Sequence, residues 1–311
     1  MDATALAHLQ QCLTQALAEP PVEARRLLHG RGRLWPGLEQ LTLDWFEGLL
    51  QVTLFKPLAA EAHTCLLNLL NATLGSPAWA ASGAQGLLLQ ERYLERSPAT
   101  WLAGAPSGPR AIHEDGLAYL IEPGRAQNSG LFLDMREGRR WVRANAQGKR
   151  VLNLFAYTCG FSVAAVAGGA LSVVNLDMAS SALARGRDNH RANDHDLSKV
   201  SFLPHDLFKS WGKVSRQGPF DLIIMDPPSF QRGSFILSRD YPKVLRKLPA
   251  LLSPGGLALA CLNDPALPAA FLQTAMAEQA PGLTFVKRLA NPAEFTDADP
   301  EAGLKALVFQ A

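Results

Sequence analysis

The chain has 311 residues, of which 48% are hydrophobic and 19% are charged, and its formal net charge is +2. This composition excludes bulk disorder, and the length is sufficient for a doubly wound domain together with a smaller one. The mild net charge neither requires nor excludes a nucleic-acid partner, because local clusters of arginine matter more than the sum.

Arginines are clustered in residues 25–33 and again in residues 136–150. Each cluster is interpreted either as a solvated face or as a set of phosphate contacts. The cysteines are far apart and form no CxxC pair, which indicates a reduced, cytoplasmic protein; they are Cys12, Cys65, Cys159 and Cys261. No apolar run reaches about 18 residues and no signal peptide is recognisable, so we expect neither a membrane span nor secretion.

In chain order, the first part of the sequence predicts a small α+β module. A helix within residues 1–24 ends before a Pro-Pro pair, and residues 25–38 are rich in turn formers. Two apolar runs separated by a glycine indicate a hairpin, a helical period follows, and two more strands flank a surface loop. These segments are Leu41–Phe46, Leu49–Phe55, Leu58–Leu74, Gly86–Tyr93 and Gly116–Glu122, with the loop at Ser97–Arg110. The module is expected to span residues 25–125.

Residues 126–311 alternate apolar runs with alanine-rich helical stretches, which predicts an α/β domain with a mainly parallel sheet and crossover helices. Strands are expected at Val151–Phe155, Leu171–Asp177, Val200–Leu203, Leu222–Met225 and Leu257–Cys261, with two edge strands near Phe285 and at Ala306–Phe309. In such a sheet the ligand lies outside the carboxyl ends of the strands, near the topological switch point.

The ends of three of these strands carry groups suited to a nucleoside. The loop Phe155–Phe161 has no GxGxxG fingerprint, which favours a cofactor without a phosphate over a dinucleotide. The alternative is a plain strand-to-helix turn that binds no cofactor. Asp177 could accept hydrogen bonds from ribose hydroxyls, or it could cap the helix that follows. Asp206 could accept from an adenine amino group, or it could cap a short turn.

The segment Asp226–Phe230 has the sequence Asp-Pro-Pro-Ser-Phe and directly follows a buried apolar strand. Two prolines at that place predict a stiff loop that leaves the sheet. We interpret the loop as an acceptor site, which holds the exposed edge of a flipped-out base while Phe230 stacks on the face of that base. The alternative is a structural strand terminator.

Cys261 lies at the end of a predicted strand on the same sheet edge. A thiolate there could attack carbon-6 of a pyrimidine and activate carbon-5 for alkylation. The alternative is a small, buried apolar residue, which free cysteine commonly is.

Residues 128–230 resemble the class I S-adenosylmethionine-dependent methyltransferases that modify 23S rRNA, namely the cytosine-C5 and guanine-N7 groups. The likeness lies in Gly130–Arg136, Leu152–Phe161, Gly168–Ala170, Asp177, Asn189–Asn193 and Asp226–Phe230, and it extends upstream to Arg33–Leu38. The sequence departs from the family at Cys159, where glycine is usual, at Asn128-Ser129 and at Leu262-Asn263. Residues 1–24 are also too few for the PUA domain of the cytosine group.

The resemblance implies a Rossmann-like methyltransferase domain that binds S-adenosylmethionine and acts on a base of 23S rRNA or of a ribosomal precursor. It implies that Asp226 and Pro227 border the methyl-transfer site and act in catalysis, and Cys261 is the candidate nucleophile described above. It implies cofactor contacts from Phe132, Arg136, Phe155, Tyr157, Thr158, Gly160, Asp177, Met178, Asp206 and Asp226. The alternatives are a methyltransferase for a small molecule or a protein, and a non-catalytic RNA-binding module with the same fold.

Overall fold

The chain divides into two units, which are Met1–Leu133 with Ala293–Pro300 and Asp134–Pro292 with Glu301–Ala311. The structure is a computed structural model and describes residues 1–231 and 235–311. The first unit thus extends beyond the boundary expected at residue 125, and it includes a segment from near the carboxyl terminus. That segment is held by Arg25, which pairs with Glu294 at 3.7 Å, and by Arg26, whose guanidinium lies 4.6 Å from the ring centroid of Phe295.

The first unit is built on a five-stranded sheet with the order β1-β2-β3-β4-β5. Its elements are α1 (Ala3–Ala18), β1 (Arg25–His29), β2 (Leu41–Trp45), β3 (Leu49–Leu54), α2 (Ala60–Leu74), α3 (Pro77–Ala81), β4 (Gly86–Glu91), β5 (Ala99–Ala103), β6 (Arg110–Glu114) and β7 (Leu117–Ile121). The hairpin β2–β3 is as predicted. The prediction missed β1 and β5, because it assigned their residues to turns and to a loop, and it missed β6, because it placed no element between Arg110 and Gly116.

Alternate residues of β2, β3 and β4 form the apolar core of this unit. Leu43 and Val52 pack with the apolar stripe of α1, which includes Leu9 and Leu13. Asp2 caps α1, since its side chain accepts a hydrogen bond from the backbone N–H of Ala5 at 2.9 Å. The amino-terminal helix is therefore part of the small unit and shares its core.

The second unit contains a seven-stranded sheet with the order β10-β9-β8-β11-β14-β16-β15. Its elements are α4 (Arg136–Asn145), β8 (Arg150–Leu154), α5 (Gly160–Ala167), β9 (Ser172–Asp177), α6 (Ser180–Ala192), β10 (Val200–Pro204), α7 (Trp211–Ser215), β11 (Phe220–Met225), β12 (Phe230–Gln231), β13 (Phe235–Ile236), α8 (Leu237–Leu245), α9 (Leu248–Leu251), β14 (Leu252–Leu262), α10 (Ala269–Gln279), β15 (Thr284–Leu289) and β16 (Lys305–Gln310). Six strands run in one direction, and β16, which lies between β14 and β15, runs antiparallel to both of them. The predicted mainly parallel, seven-stranded sheet is confirmed, but β16 lies inside the sheet and not at its edge.

The order of the parallel strands places a switch point between β8 and β11. From β8 the chain proceeds outward through β9 to β10, and then returns to add β11 on the other side of β8. The strand ends are level, since Leu154 pairs with both Leu176 and Met225, and Asp177 pairs with Pro204. Residues that follow these strands therefore share one edge of the sheet. Within the described residues, no helix combines the length and the hydrophobicity needed to cross a bilayer.

Candidate functional site

The carboxyl edge of the seven-stranded sheet brings together four segments that the sequence had singled out. The loop Phe155–Gly160 follows β8, Asp177 ends β9, Asp206 follows β10 and Asp226 follows β11. These four strands are neighbours in the sheet. The predicted site residues of the second unit therefore converge on one edge.

The loop after β8 holds non-glycine residues in an unusual backbone conformation. Phe155, Tyr157 and Cys159 have φ angles of 57°, 47° and 62°, in the left-handed region that favours glycine. Such residues cost of order 1–3 kcal/mol each and persist only where the surroundings over-determine them. Strain of this kind is concentrated at ligand-binding sites, and here it coincides with the predicted cofactor loop.

Neighbouring elements fix this loop through its main chain. The N–H of Ala156 donates to the carbonyl of Leu176 at 3.1 Å. On the other side, the Asn189 side chain on α6 donates to the carbonyl of Thr158 at 2.8 Å. Gly186 on α6 lies so close that a Cβ there would be 2.3 Å from the sulfur of Cys159.

The sequence reasoning assigned no role to Gly186 or Asn189. Asn189 was within a motif of the family resemblance, and that motif was the available signal. Nothing in the local sequence showed which loop α6 would contact.

Asp177 performs two structural tasks at the end of β9. One carboxylate oxygen accepts from the N–H of Tyr157 at 2.8 Å, and the other accepts from the N–H of Ala179 at 2.8 Å, just before α6. The helix α6 has no side-chain cap, so the capping alternative is not observed; Asp177 instead closes a turn just before the helix and anchors the loop. A carboxylate has about four lone-pair sites, so two remain for ribose hydroxyls. Met178 follows and is 47% exposed.

A chain of buried polar side chains supports the loop from beneath. Asn153 donates to Asn175 at 2.9 Å, and Asn175 donates to the hydroxyl of Ser162 at 2.9 Å. Ser162 contacts His190 at 2.9 Å, and the second ring nitrogen of His190 lies 3.0 Å from His195. Burial, and then the neighbouring His195, lower the pKa of His190 to about 3. His190 is therefore neutral at physiological pH, as are the other side chains of this buried row. The row joins β8 and β9 to α5 and α6, and periodicity alone did not reveal it.

Asp206 caps the short turn after β10, where its side chain accepts from the N–H of Phe208 at 2.9 Å. Here the capping alternative is observed. Lys209 lies 3.8 Å from the same carboxylate and is largely exposed. The adenine contact of Asp206 stays a prediction.

Asp226 follows β11 and is the most strongly perturbed acid of this edge. Burial, and then the nearby Asp134, raise its pKa to about 7, although the charge of Arg139 opposes the rise. A carboxyl with this pKa is present in both protonation states at neutral pH, which is what an acid or base catalyst requires.

The segment after Asp226 is tied to the turn that follows β14. The hydroxyl of Ser229 donates to the carbonyl of Asn263 at 2.5 Å. The next carbonyl, that of Asp264, accepts from the ammonium of Lys305 at 2.7 Å, and the same ammonium donates to the carbonyl of Glu301 at 2.7 Å. Lys305 is fully buried. Pro227 therefore lies in a segment that is bonded to a second loop, while the side chain of Phe230 is outside the described part of the chain.

Cys261 is fully buried in the apolar core on one face of the sheet. Burial, and then the charges of Asp226 and Asp134, raise the pKa of its thiol well above the usual value. The side chain thus has the features of the buried apolar alternative. Its role as a nucleophile stays a prediction.

The two remaining predicted cofactor contacts belong to different units. Arg136 begins α4 in the second unit and is 4% exposed, whereas Phe132 belongs to the first unit and is 40% exposed. Their contacts with a cofactor stay predictions.

Comparison with known proteins assigns a family to this fold and site. A family model described as S-adenosylmethionine-dependent methyltransferase matches residues 25–310. The chain is 32% identical over 243 residues to ribosomal RNA large subunit methyltransferase I of Erwinia tasmaniensis, covering 76% of this chain and 60% of the relative. The protein of the same name from Serratia proteamaculans is 30% identical over 264 residues, covering 83% and 65%. The chain thus spans less than two thirds of the length of these relatives.

Solved structures share the fold. A SAM-dependent methyltransferase from Streptococcus mutans matches 100% of this chain and 83% of its own, with a TM-score of 0.86 and 23% identity. The tRNA m1G37 methyltransferase of M. jannaschii matches 86% of this chain and 71% of its own, with a TM-score of 0.60 and 15% identity. At these identities the likeness concerns the architecture.

Proposed function

The chain belongs to the S-adenosylmethionine-dependent methyltransferase family, and we propose that it methylates a base of large-subunit ribosomal RNA in the cytoplasm. The choice of acceptor is supported by the relatives, which are named as methyltransferases of large-subunit ribosomal RNA. The observation that supports this reaction is the pKa of the Asp226 carboxyl, which is raised to about 7. Asp226 lies next to the switch point of the sheet.

The residues along the sheet edge fit the nucleoside cofactor. S-adenosylmethionine, when bound, supplies an electrophilic methyl group on a sulfonium. Asp177 keeps lone pairs for the ribose, and the strained loop that contains Phe155, Tyr157 and Thr158 presents its backbone beside it. In this assignment Gly160 and Met178 flank the nucleoside, and the carboxylate of Asp206 accepts a hydrogen bond from the adenine amino group.

Asp226 acts as the general base that accepts a proton from the acceptor nucleobase. Methylation of a ring carbon or of an amino group leaves one proton to be removed, whereas methylation of guanine N7 leaves none. A carboxylate whose conjugate acid has a pKa near 7 is well matched to accept that proton at neutral pH. The dependence of the reaction on Asp226 therefore reports which kind of atom is methylated.

A fixed rim orients the base. The prolines after Asp226 limit the backbone, and the bond from Ser229 to the carbonyl of Asn263 joins the segment to the turn after β14. Lys305 holds the adjoining carbonyl. Such fixing aligns the acceptor atom with the methyl group, and alignment supplies much of the rate in group transfer.

The experiment is methyl transfer with purified protein. We would supply S-adenosylmethionine labelled in its methyl group and protein-free ribosomal RNA, digest the RNA and identify the labelled nucleoside by mass spectrometry. We expect one methylated base in large-subunit RNA, and loss of the label in Asp226→Asn for a carbon or amino target. Transfer to a small molecule or a protein but not to RNA would contradict the proposed acceptor. Calorimetry that detects no binding of S-adenosylmethionine would favour a non-catalytic module.

A further inference from the structure

The start of helix α8 contacts the segment that follows β11. This segment, residues 226–231, contains Asp226 and ends in β12, which pairs with β13, and β13 leads directly into α8. The main-chain N–H of Leu237, the first residue of α8, donates to the carbonyl of Ser229 at 3.2 Å. Helix α8 therefore adjoins the candidate acceptor site, although the sequence reasoning assigned it no functional residue.

Tyr241 of α8 makes a second contact, on the other side of Asp226. Its side chain is fully buried, and its hydroxyl donates to the carbonyl of Met225 at 3.3 Å. That carbonyl belongs to the same planar peptide group as the N–H of Asp226, so the bond helps to orient the backbone from which the Asp226 side chain projects. Burial, and then the charges of Cys261 and Asp226, raise the pKa of Tyr241 well above its usual value. The hydroxyl therefore keeps its proton at neutral pH and remains a donor.

Asp240 of α8 makes a third contact, with strand β13. Its carboxylate is 3% exposed and accepts from the main-chain N–H of Ile236 at 2.9 Å. Arg239 and Lys243 pair with the same carboxylate at 2.7 and 2.8 Å. Their hydrogen bonds, chiefly that of Arg239, lower the pKa of Asp240, so the group is ionised at neutral pH. An ionised acceptor forms a stronger hydrogen bond than a neutral one, and it holds β13 on α8.

We propose that Asp240 and Tyr241 are positioning residues for methyl transfer, which fix the backbone on either side of the acceptor site and so align Asp226. We refer to Leu237, Asp240 and Tyr241 as the α8 clamp. A small displacement of Asp226 moves its carboxylate away from the proton of the acceptor base, and misalignment of this kind lowers the rate more than it weakens binding. This inference rests on the proposed function, because the rate in question is that of the proposed reaction.

The first test is Tyr241→Phe, which removes the hydroxyl and keeps the buried ring. We would measure methyl transfer to ribosomal RNA at steady state and the binding of S-adenosylmethionine by calorimetry. We expect kcat to fall about tenfold, because the Met225 carbonyl loses its donor and Asp226 is less well aligned. The KM for RNA and the affinity for S-adenosylmethionine should stay within about twofold of the wild type. Tyr93→Phe is the control, since the Tyr93 hydroxyl donates to Glu91 at 2.6 Å in the first unit, and it should leave kcat unchanged.

The second test is Asp240→Ala, with Asp221→Ala as its matched control. Asp221 also accepts from a main-chain N–H, that of Arg150 at 2.8 Å, but it lies near the amino end of β11 and hence at the opposite edge of the sheet from Asp226. Both variants should have a lower Tm, because each leaves a main-chain donor without its acceptor. Asp240→Ala should in addition lower kcat about tenfold, whereas Asp221→Ala should not.

Three results would overturn the α8 clamp. The first is a wild-type kcat in both Tyr241→Phe and Asp240→Ala. The second is an equal loss of kcat in the controls Tyr93→Phe and Asp221→Ala, which would trace the loss to stability. The third is an affinity for S-adenosylmethionine that falls as much as kcat does, since that would indicate a general loosening of the site.

Hydrogen exchange of the main-chain amides separates failure of this inference from failure of the proposed function. In Asp240→Ala the amide of Ile236 loses its acceptor and should exchange faster than in the wild type and in Asp221→Ala. If the wild-type chain methylates no RNA but this exchange is accelerated, the proposed acceptor is wrong and the contacts of the clamp are upheld. If the wild-type chain methylates RNA and both exchange and kcat are unchanged in the variants, only the α8 clamp is wrong.

Discussion

The carboxylate of Asp177 accepts a hydrogen bond at 2.8 Å from the main-chain N–H of Tyr157, and so ties the end of β9 to the loop that follows β8. Tyr157 has a left-handed backbone conformation, with a φ of 47°. A charged acceptor at that place stabilises a conformation that a non-glycine residue otherwise avoids. One side chain thus shapes the loop and remains available to a ribose.

Replacement of Asp177 should therefore weaken cofactor binding more than it weakens the fold. Asp177→Asn removes the charge and puts a donor where an acceptor is needed. We expect the affinity for S-adenosylmethionine to fall about 10- to 100-fold, the range for a hydrogen bond to a charged group. Calorimetry measures the change. Asp188→Asn is the control, because Asp188 is a partly exposed residue of α6 that pairs with Arg191 at 2.9 Å; equal affinity in the two variants would contradict the role of Asp177.

The contact between Gly186 and Cys159 predicts a pair of compensating substitutions. In Gly186→Ala the new Cβ would lie 2.3 Å from the sulfur and 2.8 Å from the Cβ of Cys159. We expect a lower Tm, consistent with about 1–3 kcal/mol for overpacking, and weaker binding of S-adenosylmethionine because the loop must move. Thermal denaturation and calorimetry measure the two effects.

Cys159→Gly should rescue Gly186→Ala. Glycine removes both clashing atoms, and it adopts the φ of 62° found at position 159 without strain. The double variant is expected to bind S-adenosylmethionine about as well as the wild type. If the effects of the two substitutions were simply additive, the contact would not be the cause.

The pH dependence of the reaction should report Asp226. Its carboxylate accepts a proton only when ionised, and its pKa is raised to about 7. For a carbon or amino target we expect kcat/KM to rise with pH, with a midpoint near 7. Asp134→Asn removes a charge that raises this pKa, so the midpoint should move to lower pH. A flat profile in the wild type would exclude Asp226 as the base.

The same raised pKa predicts that Asp226 costs stability at neutral and higher pH. The native state holds the proton more tightly than the unfolded chain, whose aspartate pKa is about 3.9. The stabilising contribution of the neutral carboxyl is full below that value and is lost as the pH rises through about 7. Asp226→Asn mimics the neutral form, so its Tm should exceed that of the wild type at about pH 8, with a smaller difference at about pH 5. An equal difference at both pH values would refute the assignment.

The sequence predicted the parallel sheet well because its strands are apolar runs and alanine-containing helices follow β8, β9 and β14. It also located Asp177, Asp206 and Asp226, since a carboxylate that ends an apolar run is visible without coordinates. Strands β1 and β5 were missed because Arg25–His29 and Ala99–Ala103 lack the alternation of a half-buried strand. Their pairing with β2 and β4 determines their conformation.

Other features of the site depend on side chains that are distant in sequence. The bond between Asn153 and Asn175 spans 22 residues, and that between Ser162 and His190 spans 28. Periodicity cannot reveal such partners, because it reports which face of an element is apolar and not what that face meets. For the same reason the perturbation of Asp226 by Asp134 could not be read from either segment alone.

Cys261→Ala separates the two interpretations of this cysteine. The thiol is fully buried and its pKa is raised well above its usual value, so little thiolate is present at neutral pH. We expect Cys261→Ala to keep RNA methylation within a few-fold of the wild type and to lower the Tm slightly, because a small buried side chain is removed. A covalent nucleophile would behave differently, since its loss abolishes turnover in a folded protein. Abolished methylation in Cys261→Ala with an unchanged affinity for S-adenosylmethionine would support the covalent route and a pyrimidine target. The covalent route requires the end of β14 to open before the thiolate can form.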